Sequence, residues 1–302
     1  MPSARSSGWW RWVTDPRDPA ALRADARRVA ALALEEDGPR DITSDSTIAP
    51  GQRGVAAIEA RSAMVVAGQP YADAVLEAVG LPPVAWQVEP GARLASPRVI
   101  GEIRGSLAMI LRAERPLLNL LQRASGIATA TASWVDRVAG TGCRILHTRK
   151  TTPGLRTFEV AAVLAGGGAL HRLDLATAVM VKDNHWAALR AEGRTLAAAL
   201  DAARAAGVTD LQVEVESLEQ LREACDAGAT RLLIDNQSPA TVAEWVRAAR
   251  TERPDIQLEA TGGITLDTVR AYAEAGVDVV STGALTHSVA GADLGLEVRS
   301  EV

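Results

Sequence analysis

The chain has 302 residues, with Lys+Arg 32 against Asp+Glu 37 and a formal net charge of −5. Hydrophobic residues make up 47 % and charged residues 23 %, the composition of a globular chain long enough to bury a core without disulfide or metal staples. The acidic balance argues against a general nucleic-acid or membrane-surface binder. Cys143 and Cys225 form no framework and read as reduced thiols. No segment approaches the roughly 18 apolar residues of a membrane span, and the expected location is the cytoplasm. Of the 32 basic residues only Lys150 and Lys182 are lysine, so each asks for a reason.

The start, Met1 to Arg17, carries Trp9, Trp10 and Trp12 and reads as a tail or an added strand. Ala20–Glu36 has helical spacing, and Asp37-Gly38-Pro39 breaks it. β-like runs follow at Gly54–Ala60, Ala63–Ala67, Val84–Val88 and Val99–Ile103, with a helix at Tyr71–Val79 among them. Strands in series with few helices predict an α+β first domain. A long helix is expected over Leu107–Val138, interrupted near Ser125-Gly126.

After Gly140 short apolar runs alternate with helices. The runs are Cys143–Leu146, Ala178–Val181, Leu211–Val215, Arg231–Ile234, Ile256–Leu258 and Val277–Val280. Ser217 with Gln220 fits a capping box, and Ser238-Pro239 puts proline at the first helical position. Thr265 is expected to open the next helix and Gly276 to close it. Repeated β-α units predict a parallel sheet. The stretch is short for eight units, so the expectation is an α/β barrel of six to seven strands rather than a full one. A dinucleotide-binding sheet is disfavoured because no G-x-G-x-x-G follows a strand.

The strand ends carry the chemistry. They deliver Arg149-Lys150, Lys182, Glu214, Asp235, Glu259 and Ser281-Thr282 to what in a barrel is one face. Arg144, Arg149, Lys150, Arg156, Arg172 and Lys182 outnumber Glu159 and Asp174 in their segment, which points to a small polyanionic ligand. Glu214 and Asp235 end neighbouring strands, and two carboxylates beside phosphates suit Mg²⁺; pairing with local arginines is the alternative. Thr261-Gly262-Gly263 and Ser281-Thr282-Gly283-Ala284 have the form of phosphate-holding glycine loops, or of tight turns that need glycine.

These residues sit in strings that resemble the quinolinate phosphoribosyltransferase family. The strings are Glu114-Arg115-Pro116-Leu117-Leu118-Asn119, Thr148-Arg149-Lys150-Thr151-Thr152-Pro153-Gly154-Leu155-Arg156, Gly166-Gly167-Gly168 with His171-Arg172, and Lys182-Asp183-Asn184-His185. Val213–Glu216, Ile234–Pro239, Glu259–Gly263 and Gly283–Ser288 continue the likeness. The resemblance implies an α/β fold in two domains. One is an N-terminal α/β sandwich over 1–117, to which 289–302 return; the other is an incomplete α/β barrel over 118–288. It implies conversion of quinolinate and phosphoribosyl diphosphate to nicotinate mononucleotide, diphosphate and CO₂, with Mg²⁺ as cofactor. It also implies a homodimer, in some members a hexamer, in which Arg115 reaches the partner's site.

By the same resemblance Arg115, Arg149, His171, Arg172 and Lys182 bind the two carboxylates of quinolinate, and Lys150 sits near the reacting centre and the diphosphate. Glu214 and Asp235 hold Mg²⁺ and the ribose hydroxyls, and Thr261, Gly262, Gly263 and Gly283 hold the 5′-phosphate. The chain departs from the pattern at His147, Val160, Leu170 and Asp174, where the family often has Asp, Lys, Asn and Gly. Leu170 and Asp174 keep two other readings open: a relative acting on another heteroaromatic carboxylate, and a non-catalytic binder of pyridine acids. A barrel with Lys150 or Lys182 as a Schiff-base lysine is the third.

Overall fold

The computed structural model of the protein describes residues 14–95 and 97–300. The tryptophan-rich start at 9–12 lies outside them. In chain order the elements are α1 (Pro19–Glu36), α2 (Ile42–Thr47), β1 (Arg53–Ala60), β2 (Met64–Val65), α3 (Gln69–Ala78), β3 (Ala85–Trp86), β4 (Arg93–Leu94), β5 (Arg98–Ser106) and α4 (Leu107–Arg137). There follow β6 (Arg144–Leu146), α5 (Arg156–Ala165), β7 (Val179–Val181), α6 (Asp183–Ala191), α7 (Leu196–Ala205), β8 (Leu211–Val215) and α8 (Leu218–Asp226). The chain ends with β9 (Arg231–Asp235), α9 (Pro239–Glu252), β10 (Gln257–Thr261), α10 (Val269–Glu274), β11 (Val279–Ser281), α11 (Ala284–His287) and β12 (Leu294–Ser300). Among the described residues these fall into two compact units, one of 14–132, 151–167 and 285–300, the other of 133–150 and 168–284.

The first unit is built on an antiparallel sheet ordered β12-β1-β5-β3. Its centre is apolar because Ala56, Ile58, Ile100 and Ile103 leave at most 1 % of their surface to solvent. Helix α1 packs on α3 and α5, and Tyr71 meets Phe158 edge-on at 4.7 Å. The buried Asp25 carboxylate accepts from Tyr71 Oη at 2.8 Å and from Arg28 Nη2 at 2.7 Å. Arg28 Nη2 also reaches Gly154 O at 2.6 Å, and so holds the loop before α5.

Helix α4 runs unbroken through Ser125-Gly126, where an interruption was expected. Ser125 turns its hydroxyl to Ala67, accepting from N at 3.1 Å and donating to O at 3.2 Å. A Cβ on Gly126 would stand 2.2 Å from Ala290 O. The pair is small and polar so that other segments can approach the helix, a requirement that a propensity reading takes for a break.

A buried carboxylate paired with a partly exposed arginine stabilises the same unit. Glu159, 0 % exposed, accepts from Arg123 Nη2 at 2.6 Å, Thr152 N at 3.0 Å and Thr152 Oγ1 at 2.8 Å. Arg123 Nη2 also donates to Thr286 O. Removing one partner of such a pair strands a charge in a dry site. Arg123→Met is therefore expected to cost about 3–5 kcal/mol, read as a lowered urea midpoint for unfolding.

The second unit holds the parallel sheet, six strands in the order β6-β11-β10-β9-β8-β7. The two end strands, β6 and β7, are not paired with each other, so this is the incomplete α/β barrel expected from the sequence. Beyond β6 one more bridge forms, Leu146 to Ala169, with Ala169 N donating to Ile145 O at 2.8 Å. Alternation along each strand puts Val213, Leu232, Ile234, Leu258 and Ala260 under the helices, all at most 1 % exposed. Ser238 and Pro239 start α9 as expected. Ser217 caps α8 by accepting from Gln220 N at 3.2 Å. The expected return bond of a capping box goes elsewhere, because Gln220 Oε1 accepts from Glu216 N at 2.8 Å. Helix α10 starts at Val269, not near Thr265. Thr265 through Thr268 close a turn on themselves, with Thr265 N donating to Thr268 Oγ1 at 3.0 Å.

Candidate functional site

The period-2 alternation that hides apolar residues under the helices turns the other set inward, and in this barrel that set is polar. Register places Gln212, Arg231 and Gln257 side by side, then Glu214, Leu233 and Glu259, then Asp235 beside Thr261. The upper two rows open into a cavity of about 540 Å³, the size of a small-molecule site. Its wall is sharply divided in charge. Arg149, Lys150, Arg172 and Lys182 come from the ends of β6 and β7 and the loop between them, and Glu214 and Asp235 come from β8 and β9. Met180 and Leu233 supply apolar surface, and Thr261, Gly262, Gly263 and Ser281 complete the rim.

Each charged group has a reason for its position. Lys182 Nζ donates to Glu214 Oε2, so this lysine is engaged in an ion pair across the cavity wall. The backbone under that pair is braced twice. Trp186 Nε1, on α6, donates to Glu214 O at 2.9 Å, and His185 Nδ1 accepts from Lys182 N at 3.1 Å. The exposed His185 is thus a brace for the helix start, which explains the Lys-Asp-Asn-His string without giving its histidine a ligand. Arg149 Nε is buried and has no acceptor among the described residues. Burial, and then the charge of Arg149, push the Arg172 pKa down. Two guanidiniums that repel each other, one with an unmet donor, form a seat for an anion.

Asp235 shows the opposite strain. Burial raises its pKa first, and the charge of Glu214 raises it further, against the pull of Lys182. The next residue, Asn236, stands at φ +52, a left-handed conformation that asparagine tolerates better than most residues. It donates from Nδ2 to Asp235 Oδ2 at 2.6 Å and from its backbone N to Thr261 O at 3.1 Å. Gly262 is required beside this turn. A Cβ there would lie 2.4 Å from Asn236 Oδ1 and 2.5 Å from Asp235 Oδ1.

Of the residues singled out from the sequence, Lys150, Arg149, His171, Arg172, Lys182, Glu214, Asp235, Thr261, Gly262 and Gly263 line this one cavity. Gly283 is not among its lining residues. Arg115 belongs to the first unit and is exposed on α4. Asp174, the departure that adds a negative charge near an anion site, folds its carboxylate back onto its own turn. It accepts from Ala176 N at 2.9 Å and Thr177 N at 3.1 Å. Asn236, Met180 and Leu233 had no functional assignment from sequence, and Ser281, read there as part of a glycine-loop string, lines the cavity from β11. The two-residue alternation of β7 and β9 could have placed Met180 and Leu233 inside, whereas Asn236 lies just past the end of β9. Glu259 was read as a strand end at the mouth, but β10 continues to Thr261, and Glu259 lies inside the barrel, 0 % exposed.

The family model for the quinolinate phosphoribosyl transferase N-terminal domain matches residues 41–125, and that for the C-terminal domain matches residues 127–297. The chain belongs to the quinolinate phosphoribosyltransferase family. It is 42 % identical over 270 residues to the probable carboxylating nicotinate-nucleotide pyrophosphorylase of Bacillus subtilis, covering 88 % of this chain and 90 % of that one. Its identity with the corresponding protein of Mycobacterium leprae is 39 %, covering 90 % and 97 % of the two chains. The solved nicotinate-nucleotide pyrophosphorylase of Francisella tularensis superposes with a TM-score of 0.85 at 32 % identity, covering 92 % of this chain and 97 % of that one.

The raised pKa of Asp235 makes a stability prediction for this family member. A carboxyl with a folded pKa above its unfolded value destabilises the native state wherever it is ionised. Asp235→Asn removes that cost while keeping the shape. The variant should melt higher than wild type at neutral pH, each kcal/mol being about 2–4 °C. The gap should close as pH falls through the raised pKa, where the wild-type carboxyl is neutral too. Thermal unfolding of both proteins across that range checks it.

Proposed function

We propose that this enzyme joins quinolinate to phosphoribosyl diphosphate and releases diphosphate and CO₂, forming nicotinate mononucleotide for NAD synthesis. The observation that carries the reading is the division of the cavity wall into a cationic side and a carboxylate side. A pyridine dicarboxylate satisfies the first, and a ribose with developing positive charge satisfies the second. Arg149 and Arg172 hold the carboxylates of the acid and aim its ring nitrogen. That nitrogen attacks the anomeric carbon, and the bond from that carbon to the diphosphate oxygen breaks. The transition state gains oxocarbenium character, which the charges of Glu214 and Asp235 stabilise. Lys150, on the opposite wall, offsets the charge of the departing diphosphate. Alkylation leaves the ring nitrogen positive, so it can accept the electron pair left when the adjacent carboxylate departs as CO₂. A proton then replaces the carboxylate on the ring carbon. Thr261, Gly262 and Gly263 take the 5′-phosphate.

The donor set suits Mg²⁺. Glu214 and Asp235 are hard oxygen donors, and burial and then the charge of Glu214 raise the Asp235 pKa. Among the described residues no group of three or more His, Cys, Asp or Glu could hold a metal unaided. Two carboxylates with the remaining sites left to water and substrate phosphates is the usual protein share for this ion. When bound it supplies charge neutralisation at the diphosphate. The exposed Arg115 on α4 completes the site of a second copy in a homodimer, and the enzyme works in the cytoplasm. Among the described residues no helix is long and apolar enough to cross a membrane.

Purified enzyme with quinolinate, phosphoribosyl diphosphate and Mg²⁺ should release CO₂ and form nicotinate mononucleotide; no product, with nicotinate also inert, would sink the assignment. Lys150→Ala and Asp235→Ala should each lower kcat/KM by about two orders of magnitude, the loss of about 3 kcal/mol expected for a preorganised charge. A chelator should stop turnover and added Mg²⁺ restore it. Equal mixing of inactive Arg115→Ala and Asp235→Ala chains should recover about a quarter of wild-type activity. That is the yield of one intact site per mixed dimer, and no recovery would count against a shared site.

A further inference from the structure

The resemblance casts His171 as a ligand for a substrate carboxylate, but both of its ring nitrogens are already engaged within the protein. The backbone N–H of Arg172 donates to Nδ1 at 2.7 Å. A donor can meet only a lone pair there, so the ring proton sits on Nε2. Nε2 lies 3.2 Å from Glu259 Oε2 and donates to it. The imidazole is 6 % exposed and the carboxylate 0 %. Glu259 is otherwise satisfied by Ser281 Oγ at 2.5 Å and Arg231 Nη1 at 3.3 Å. Arg231 is in turn fixed by Gln257 Oε1 at 2.7 Å. A second ring proton would point from Nδ1 at the Arg172 N–H.

We propose that Glu259 and His171 are positioning residues: Glu259 holds His171 as the Nε2–H tautomer, and the ring pins the backbone of Arg172, so that recognition of the substrate dicarboxylate falls to the Arg172 guanidinium and not to the imidazole. Arg172 is then held at both ends, because its Nη1 donates to Ala178 O at 3.3 Å. The chain of restraint runs from the barrel interior to the ligand, and no sequence spacing announces it. Glu259 is 88 residues from His171 and meets it only across the barrel.

The inference rests on the phosphoribosyltransferase reading for its ligand, and its test separates the two. Protein labelled with ¹⁵N at histidine is observed by two-bond correlations, without ligand and with quinolinate. The His171 signals should report Nε2–H with a bare Nδ1 in both states. Conversion to an Nδ1–H or doubly protonated ring on adding quinolinate overturns the proposal. Glu259→Gln keeps the volume and removes the charge. It replaces a charged acceptor by a weaker neutral one, and should raise the KM for quinolinate about tenfold or more, with the KM for phosphoribosyl diphosphate within about twofold of wild type. An unchanged quinolinate KM also overturns it. If Glu259→Gln does not fold, the wild-type spectra decide the question alone. A wild-type enzyme that makes no nicotinate mononucleotide defeats the functional reading, while the ligand-free spectrum still tests the Glu259–His171 pair.

Discussion

A carboxylate without any contact with water sits in the middle of the barrel, and the polar interior depends on it. Barrel centres are ordinarily filled by branched apolar side chains. Here Glu259 occupies that place, and a buried charge survives only when it is paired and hydrogen-bonded. Burial pushes its pKa up, yet the hydrogen bonds from His171 and Ser281 and the charge of Arg231 hold it below the usual carboxylate value. Those partners come from β9, β11 and the loop before β7, so satisfying one anion ties the strands on either side of β10 to a loop 88 residues earlier. Replacing the set by leucines could give a drier and more stable core, but it would remove the mount on which the cavity wall stands.

Above that level the architecture sorts charge. A parallel barrel sends every strand end to one face, and the chain spends its two lysines and two arginines on the β6 and β7 ends and its acids on β8 and β9. Across the join Lys182 meets Glu214, and Asp235 is left with a raised pKa. That energetic cost is carried by groups that line the cavity, the usual trade between a relaxed fold and a polar site. The net charge of −5 averages these opposed walls and conceals both of them.

How much of this was legible beforehand differs from element to element. The α-helix and strand positions in the barrel followed from apolar periodicity, and Ser238-Pro239 marked its helix start correctly, because caps and periods are local. Ser125-Gly126 was misread because its small residues serve a neighbouring segment, Ala290, that is distant in sequence. Thr265 was misread as a helix start because its hydroxyl and backbone close a preceding turn with Thr268. Asp174 looked like an intruder in an anion site until its turn showed where the carboxylate goes.

The sequence by itself determined the fold class, the shortened barrel, the family and most of the residues that meet in the cavity. Strand ends converge in any parallel barrel, and the Thr-Arg-Lys-Thr and Lys-Asp-Asn-His strings are specific enough to identify their owners. Only the tertiary structure decided what those residues are to one another. It assigned His185 to its own helix start, paired Lys182 with Glu214, strained Asp235 between burial and a like charge, and sealed Glu259 against His171. Such relations depend on distance, burial and the direction of each hydrogen bond. Those quantities exist only after the strands have been brought side by side.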